Sequence, residues 1–268
     1  MRGWWQDLTD LVLPAECGGC GRPRAVLCPG CRAALTGAGP GRVRPDPEPS
    51  GLPVVHAAAP YEDAVRAALI AHKERGALAL AGPLGSALAG AVRAGGGEGP
   101  VLLIPVPSAR RAVRARGHDP ARRIALAAAG VLRRTGTPAR VAGVLRQRRA
   151  VADQSGLDSR QRLDNLAGAL EVPAGGARLL GDGAVVLVDD LMTTGASLAE
   201  AARAVRAARD GRAAAVSGDR GAGPETREAE RTRGVTGRAS SDGTDSAGDG
   251  IRAAVVAAPP DSFQINRN

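Results

Sequence analysis

Aromatic side chains are nearly missing from this chain: its 268 residues include one Phe, one Tyr and two Trp. Binding of single-stranded nucleic acid by base stacking needs several rings, so that class of function has little to work with here. The same shortage leaves Val, Leu and Ala to fill the core, and small side chains bring elements close together. Lysine is almost absent too. Lys73 stands alone, and the formal net charge of +9 is carried by arginine. A phosphate-rich partner would suit that charge, but a codon bias toward Arg, Ala and Gly produces the same composition, so basicity by itself decides nothing. No run of about eighteen apolar residues occurs, which argues against a transmembrane helix. Trp4-Trp5-Gln6-Asp7 and Asp10 interrupt any apolar leader, so a cytoplasmic protein with reduced cysteines is expected.

What is present begins with four cysteines, arranged as Cys17-Gly18-Gly19-Cys20 and Cys28-Pro29-Gly30-Cys31. Each C-x-x-C turn lets two thiolates reach one metal, and two turns supply the four ligands of tetrahedral zinc. Four sulfurs leave no open coordination position, so the expected zinc is structural. A redox pair or a disulfide staple competes with this reading, although redox C-x-x-C motifs come singly at strand–helix junctions. Trp4, Leu8, Leu11 and Val12 lie at helical spacing, and residues 1–36 read as an amphipathic lead-in helix plus a zinc module. Gly37 to Pro53 holds five prolines and four glycines and reads as a linker.

From 54 onward, β and helical patterns alternate. Val54 to Ala59, Val101 to Pro107, Arg140 to Leu145 and Ala167 to Val172 read as β segments, and Tyr61 to Ala71, Leu78 to Val92 and Ala121 to Arg134 as helices. His56 and His72 stand near no recognisable partner and read as structural. From Ser217 to Gly250 the only large aliphatic residue is Val235. Such a segment cannot bury enough surface to offset its ordering entropy, so 217–250 is expected to be a disordered insertion. Ile251 to Pro259 then resumes as a strand. The alternation predicts a doubly wound α/β domain over 54–268 with a mainly parallel sheet flanked by helices.

The most informative run is Val185-Val186-Leu187-Val188-Asp189-Asp190-Leu191-Met192-Thr193-Thr194-Gly195-Ala196-Ser197. Four aliphatic residues make a buried strand, and the alanine-rich stretch from Ala196, with Leu198 and Val205 seven apart, makes a helix. Thr193-Thr194-Gly195 is the turn between them. A helix N-terminus presents unpaired N–H groups and a partial positive charge, so a monophosphate is stabilised there without any lysine, and Thr193, Thr194 and Ser197 add hydroxyl donors. Asp189 and Asp190 suit the cis hydroxyls of a ribose or a magnesium ion held through water. A second polar run follows the strand 101–107. Ser108, Arg110, Arg111, Arg114 and Arg116 precede Gly117, with four arginines in seven positions, where open α/β sheets bind ligands; a solvated charged face is the ordinary alternative.

Val186 to Asp190 followed by Met192-Thr193-Thr194-Gly195 resembles the phosphoribosyl-pyrophosphate signature of type I phosphoribosyltransferases. With the paired cysteines, the arginine run and the Gln154 to Asn165 stretch, the chain resembles the ComF family over roughly 8–211 and the last eighteen residues. Members of that family are similar to amidophosphoribosyltransferases and are linked to DNA uptake. The resemblance implies a type I phosphoribosyltransferase-like fold that binds phosphoribosyl pyrophosphate with magnesium. It implies a ligand site made of Asp189, Asp190, Met192, Thr193, Thr194, Gly195, Ala196 and Ser197. A pyrophosphate loop of Ser108, Arg110, Arg111, Arg114, Arg116 and Gly117 would face it, with Asp189, Asp190, Arg114 and Arg116 as catalytic candidates. Arg146, Arg148, Gln154, Arg160 and Arg162 would belong to a flexible lid, and Lys73 and Arg75 would be candidates for substrate contact. The family's loop usually ends in Gly-Phe-Asn where this chain has Gly117-His118-Asp119, which leaves the role of position 119 open. The acceptor also stays open. A non-catalytic nucleotide-sensing or single-stranded-DNA-handling module, or a regulatory protein whose zinc module docks a partner such as a competence-machinery protein, would use the same residues without turnover.

Overall fold

The unbroken apolar runs become strands buried on both faces. The computed structural model describes residues 16–97, 99–149, 159–181, 183–218 and 250–264, with backbone alone at 159, 160, 162 and 215–218. Its strands are β1 (Gly41–Val43), β2 (Val55–Pro60), β3 (Val101–Pro105), β4 (Ala139–Val141), β5 (Arg146–Gln147), β6 (Leu170–Glu171), β7 (Ala184–Leu191) and β8 (Ile251–Ala258). Its helices are α1 (Pro29–Thr36), α2 (Asp63–Glu74), α3 (Ala81–Ala94), α4 (Arg110–Arg116), α5 (Pro120–Arg134), α6 (Ser159–Leu166), α7 (Ala174–Leu180) and α8 (Ala196–Gly218). The lead-in pattern of Trp4 to Val12, Gln154, the side chains of Arg160 and Arg162, and residues 219–249 of the expected insertion lie outside what is described.

Six strands form one sheet in the order β1-β2-β8-β7-β3-β4. Only the β1–β2 pair is antiparallel; the other pairings are parallel, with Val188 of β7 opposite both Pro105 of β3 and Ala254 of β8. Strand periodicity divides the apolar residues between two cores. Leu103, Val186, Val188, Ala254 and Val256 face the layer built from α1, α2, α3 and α5. Leu102, Ile104, Val185, Leu187, Ala253 and Val255 face α7 and α8. Each fully buried Leu, Ile or Val contributes about 1.5–3 kcal/mol, so this two-sided burial is the main reason the sheet forms. Alanine and glycine allow the helix layer to pack tightly. A Cβ added at Gly85 of α3 would stand 2.5 Å from the Ala127 Cβ of α5, closer than any side chain permits.

Three elements differ from the sequence reading. The arginine run 110–116 is helical, since Arg and Ala are strong helix formers and Gly117, at φ 74°, closes the helix in the left-handed conformation. The stretch 37–53 is not a free tether. It supplies β1 at the sheet edge, because its two aliphatic residues other than Ala, Val43 and Leu52, find buried places at 3% and 6% exposure in the α8-side core. The expected β segments at 140–145 and 167–172 shorten to β4 and β6, and β6 pairs with β5 in a separate two-stranded ribbon. No helix among the described residues is long and apolar enough to cross a membrane.

Candidate functional site

Connectivity points to one place on this sheet. From β3 the chain runs through α4 and α5 to β4, while from β7 it runs through α8 to β8 on the opposite side. The loops leaving β3 and β7 therefore part in opposite directions, and open α/β sheets take their ligands at that switch point, beyond the carboxyl ends of the strands. The acid-and-hydroxyl turn follows β7. The arginine helix follows β3.

The acids end β7. Asp190 is 5% exposed, and the Lys73 ammonium from the last turn of α2 lies 2.9 Å from its Oδ2 and 3.3 Å from its Oδ1. Burial works against that ammonium, but the carboxylates of Asp190 and then Asp189 outweigh it and hold Lys73 above its usual value. Asp189 turns back, its Oδ1 accepting the Asp190 N–H at 2.8 Å. Burial first, and then the charge of Asp190, push the Asp189 carboxyl well above the usual carboxylate range, with Lys73 pulling it part of the way back. The turn beyond is anchored by Met192, which is 2% exposed in the α8-side core and donates its N–H to Ala257 O at 3.0 Å. Thr193 is exposed, and Thr194 and Ser197 are half-buried. Gly195 sits at φ +74° and is covered by Leu52 and Pro45, so the 37–53 stretch roofs this turn. Its carbonyl accepts the first helical bond, from Ala199 N–H at 2.9 Å, and α8 opens at Ala196.

The arginines divide into two groups. Ser108, Arg110 and Arg114 line a cleft of about 290 Å³ together with Pro107, Asp119 and Arg146. Arg116 instead turns toward α2, its Nη1 3.4 Å from Glu74 Oε1 and its Nε donating to Ala112 O at 3.1 Å. Arg111 is exposed and outside that cleft. Position 119 is a helix cap: Asp119 Oδ1 accepts the Arg122 N–H at 3.1 Å at the start of α5. His118 is buried with both ring nitrogens against carbonyls, Nε2 3.1 Å from His72 O and Nδ1 3.2 Å from Arg116 O. Its ring meets His72 edge-on with centroids 5.5 Å apart. Burial pushes the His72 imidazole down in pKa, and both histidines tie α2 to the end of α4.

At the root of the expected lid, β5 and β6 meet, and the Arg146 Nε lies 2.7 Å from Glu171 Oε1. Arg148 is exposed, and its N–H donates to Ala169 O at 2.9 Å. The sequence reading passed over the fastening of this ribbon to α8. Glu200 is buried, accepts the Leu170 N–H at 2.8 Å and is gripped by Arg203 at 2.7 Å and 2.8 Å, while Arg203 also donates to Leu170 O at 2.8 Å. The one available signal was a Glu–Arg pair at i, i+3 in an alanine-rich helix.

The four cysteines come together with their sulfurs within 4.8 Å of one another, all as free thiols. Zinc–sulfur bonds of about 2.3 Å at tetrahedral angles put sulfurs roughly 3.8 Å apart, and Cys20 Sγ and Cys28 Sγ lie 3.6 Å apart. Burial pushes the Cys17 thiol up, but backbone N–H groups of Cys28, Cys20 and Gly19 outweigh it and bring it down to about 6. The Cys28 N–H reaches Cys17 Sγ at 3.2 Å. Cys28 is lowered by the Cys31 N–H, whereas burial and the neighbouring sulfurs push Cys31 up. Crowded thiolates keep a proton unless a cation joins them, so this donor set fits a zinc ion. Cys17, Cys28 and Cys31 also belong to the core formed by α2, α3 and α5.

No protein-family model matches the chain, and no curated protein matches it.

Proposed function

We propose that this chain is a phosphoribosyltransferase-like protein of the ComF type that binds phosphoribosyl pyrophosphate together with magnesium. The observation that carries the reading is that two loops leave neighbouring strands at the β3–β7 switch point: the acid end of β7 with its helix-opening turn, and the arginine helix that follows β3. In this reading the first N–H groups of α8 and the hydroxyls of Thr193, Thr194 and Ser197 hold the 5′-phosphate. Asp189 and Asp190 hold the ribose hydroxyls. Ser108, Arg110 and Arg114 grip the diphosphate, since guanidinium groups match its oxygens in a fork. The acid pair fits a magnesium ion, because the Lys73 ammonium already stands as a cation on Asp190. Bound magnesium would supply neutralisation of the diphosphate charge.

The reaction that follows is attack of a nitrogen nucleophile on the anomeric carbon. The carbon–oxygen bond to diphosphate breaks, the electron pair leaves with the diphosphate, and the nucleophile loses its proton. Charge spreads toward the ring oxygen and the leaving group, so positioning and fixed electrostatics supply most of the catalysis. The lid rooted on β5 and β6 would exclude water, which otherwise hydrolyses the activated sugar. Zinc on the four cysteines would be structural, and cysteines that form no disulfide suit a reducing compartment such as the cytoplasm.

Calorimetric titration with phosphoribosyl pyrophosphate, with and without magnesium, tests the reading. The wild type should bind, magnesium should tighten binding, and Asp190→Asn should weaken it at least tenfold, equivalent to about 1.4 kcal/mol. A wild type that does not bind overturns the proposal. Salt-dependent affinity for single-stranded DNA that survives Asp190→Asn would point to a DNA-handling module instead. Pyrophosphate release with a panel of bases, ammonia donors and nucleotides then identifies the acceptor.

A further inference from the structure

The acid pair already holds a cation, and that cation is the only lysine in the chain. Lys73 reaches Asp190 across 117 positions of sequence, with its ammonium between both carboxylate oxygens. The geometry is asymmetric. The Asp190 side chain is 7% exposed and cannot shed charge into water, whereas the Lys73 side chain is 37% exposed and has room to swing. Its backbone has no such freedom. The His72 carbonyl is held by His118, the His72 ring is packed against His118, and Glu74 faces Arg116. A part-exposed ammonium is thus mounted on a fixed helix end, paired with an acid of β7 and within electrostatic reach of the last arginine of α4.

We propose that Lys73 is the resident counter-ion of the acid pair: it occupies Asp190 in the ligand-free protein, and a divalent cation entering that place displaces it toward the arginine helix. The proposal rests on the reading of the crevice given above. Two adjacent carboxylates with one of them buried need a positive partner, because a buried carboxylate left alone is strongly unfavourable. A hard divalent cation satisfies the same oxygens with twice the charge. Once displaced, the ammonium moves toward Arg116, whose charge already acts on it and whose one acid partner, Glu74, is largely exposed, and two cations side by side attract an anion. Lys73 would then move from carboxylate to diphosphate as the ligand enters. It is a positioning residue of this site, and it couples cation binding to anion binding.

The test uses the full-length protein and needs no phosphoribosyl pyrophosphate, so its failure is distinct from failure of that reading. Binding of Mn2+ alone is followed by the loss of its free-ion electron paramagnetic resonance signal. Lys73→Gln should hold Mn2+ about tenfold more tightly than wild type, because one competing charge has gone; Lys73→Arg should stay near wild type, and Asp190→Asn added to Lys73→Gln should abolish the gain. Affinity for inorganic pyrophosphate with Mg2+ should move the other way and fall in Lys73→Gln. A lysine with a merely structural role would lower both affinities.

Since Lys73 is the only lysine, labelling lysine at Cε yields one side-chain resonance in the unaltered protein. It should move, when the protein is saturated with Mg2+ and pyrophosphate, toward the position it has in Asp190→Asn. A folded Lys73→Gln protein that binds Mn2+ no more tightly than wild type overturns the proposal. So does a lysine resonance that stays in place at saturation.

Discussion

Gly195 closes the turn between the acids and α8 at φ +74°, and a Cβ there would come within 3.1 Å of Leu52 and 3.3 Å of Pro45. An alanine would meet both objections, steric and conformational. The left-handed conformation alone costs an L-residue about 1–2 kcal/mol. Gly195→Ala should therefore lower the melting temperature by several degrees, at roughly 2–4 °C per kcal/mol for a chain of this size. In the proposed reading it should also weaken phosphoribosyl pyrophosphate binding, because the first N–H groups of α8 shift with the turn. Differential scanning calorimetry and the titration above read the two effects. The glycine was legible in the sequence as a turn residue. Its roof was not, because Leu52 and Pro45 belong to a proline-rich stretch whose local signals describe only a linker.

Among the elements, the ribbon of β5 and β6 depends on α8 for its position. Glu200 accepts from Leu170 and is paired with Arg203. Burial pushes its carboxyl up, but Arg203 and the Leu170 N–H outweigh burial and hold it below the usual range. A carboxyl that titrates lower when folded stabilises fully above the unfolded value, about pH 4.3, and loses that contribution as pH falls through the folded value. Glu200→Gln should thus be less stable than wild type at pH 7, by about 1–3 kcal/mol for a charged buried hydrogen bond lost, and the gap should narrow as the pH drops below 4. Urea denaturation at pH 7 and pH 3.5 measures it. In the proposed phosphoribosyltransferase reading this fastening sits at the root of the lid, so there the variant should also raise KM for phosphoribosyl pyrophosphate more than it lowers kcat.

At the scale of the molecule, the cysteine module and the α/β domain share one core. Cys17, Cys28, Cys31 and Leu35 cluster with Val65, Leu80, Leu84 and Leu88, so a zinc ion held by the four cysteines would stabilise more than the segment that ligates it. Purified protein should contain about one zinc per chain, as four thiolate ligands require. Removing it with a chelator, or replacing buried Cys31 by Ser, should lower the temperature of the main unfolding transition. A separate early transition, with the main one unmoved, would show that the module melts by itself. Metal analysis and calorimetry with and without chelator distinguish the two.

Local chemistry made much of this protein legible. The aliphatic runs at 101–104 and 185–188, the C-x-x-C pairs and the helix start at Ala196 are decided by neighbours in sequence, through periodicity, turn geometry and capping, and each stands where its pattern places it. The pairing of Lys73 with Asp190, the capping role of Asp119, the clamp of Glu200 on Leu170 and the entry of Gly41–Val43 from the 37–53 stretch into the sheet were decided by tertiary structure. Two of these contacts join residues far apart in the chain, and all four rest on choices between water and a buried partner. A charged or proline-rich segment looks the same in sequence whichever choice it makes; only the packed sheet, with its two covered faces and its open switch point, supplies the partner.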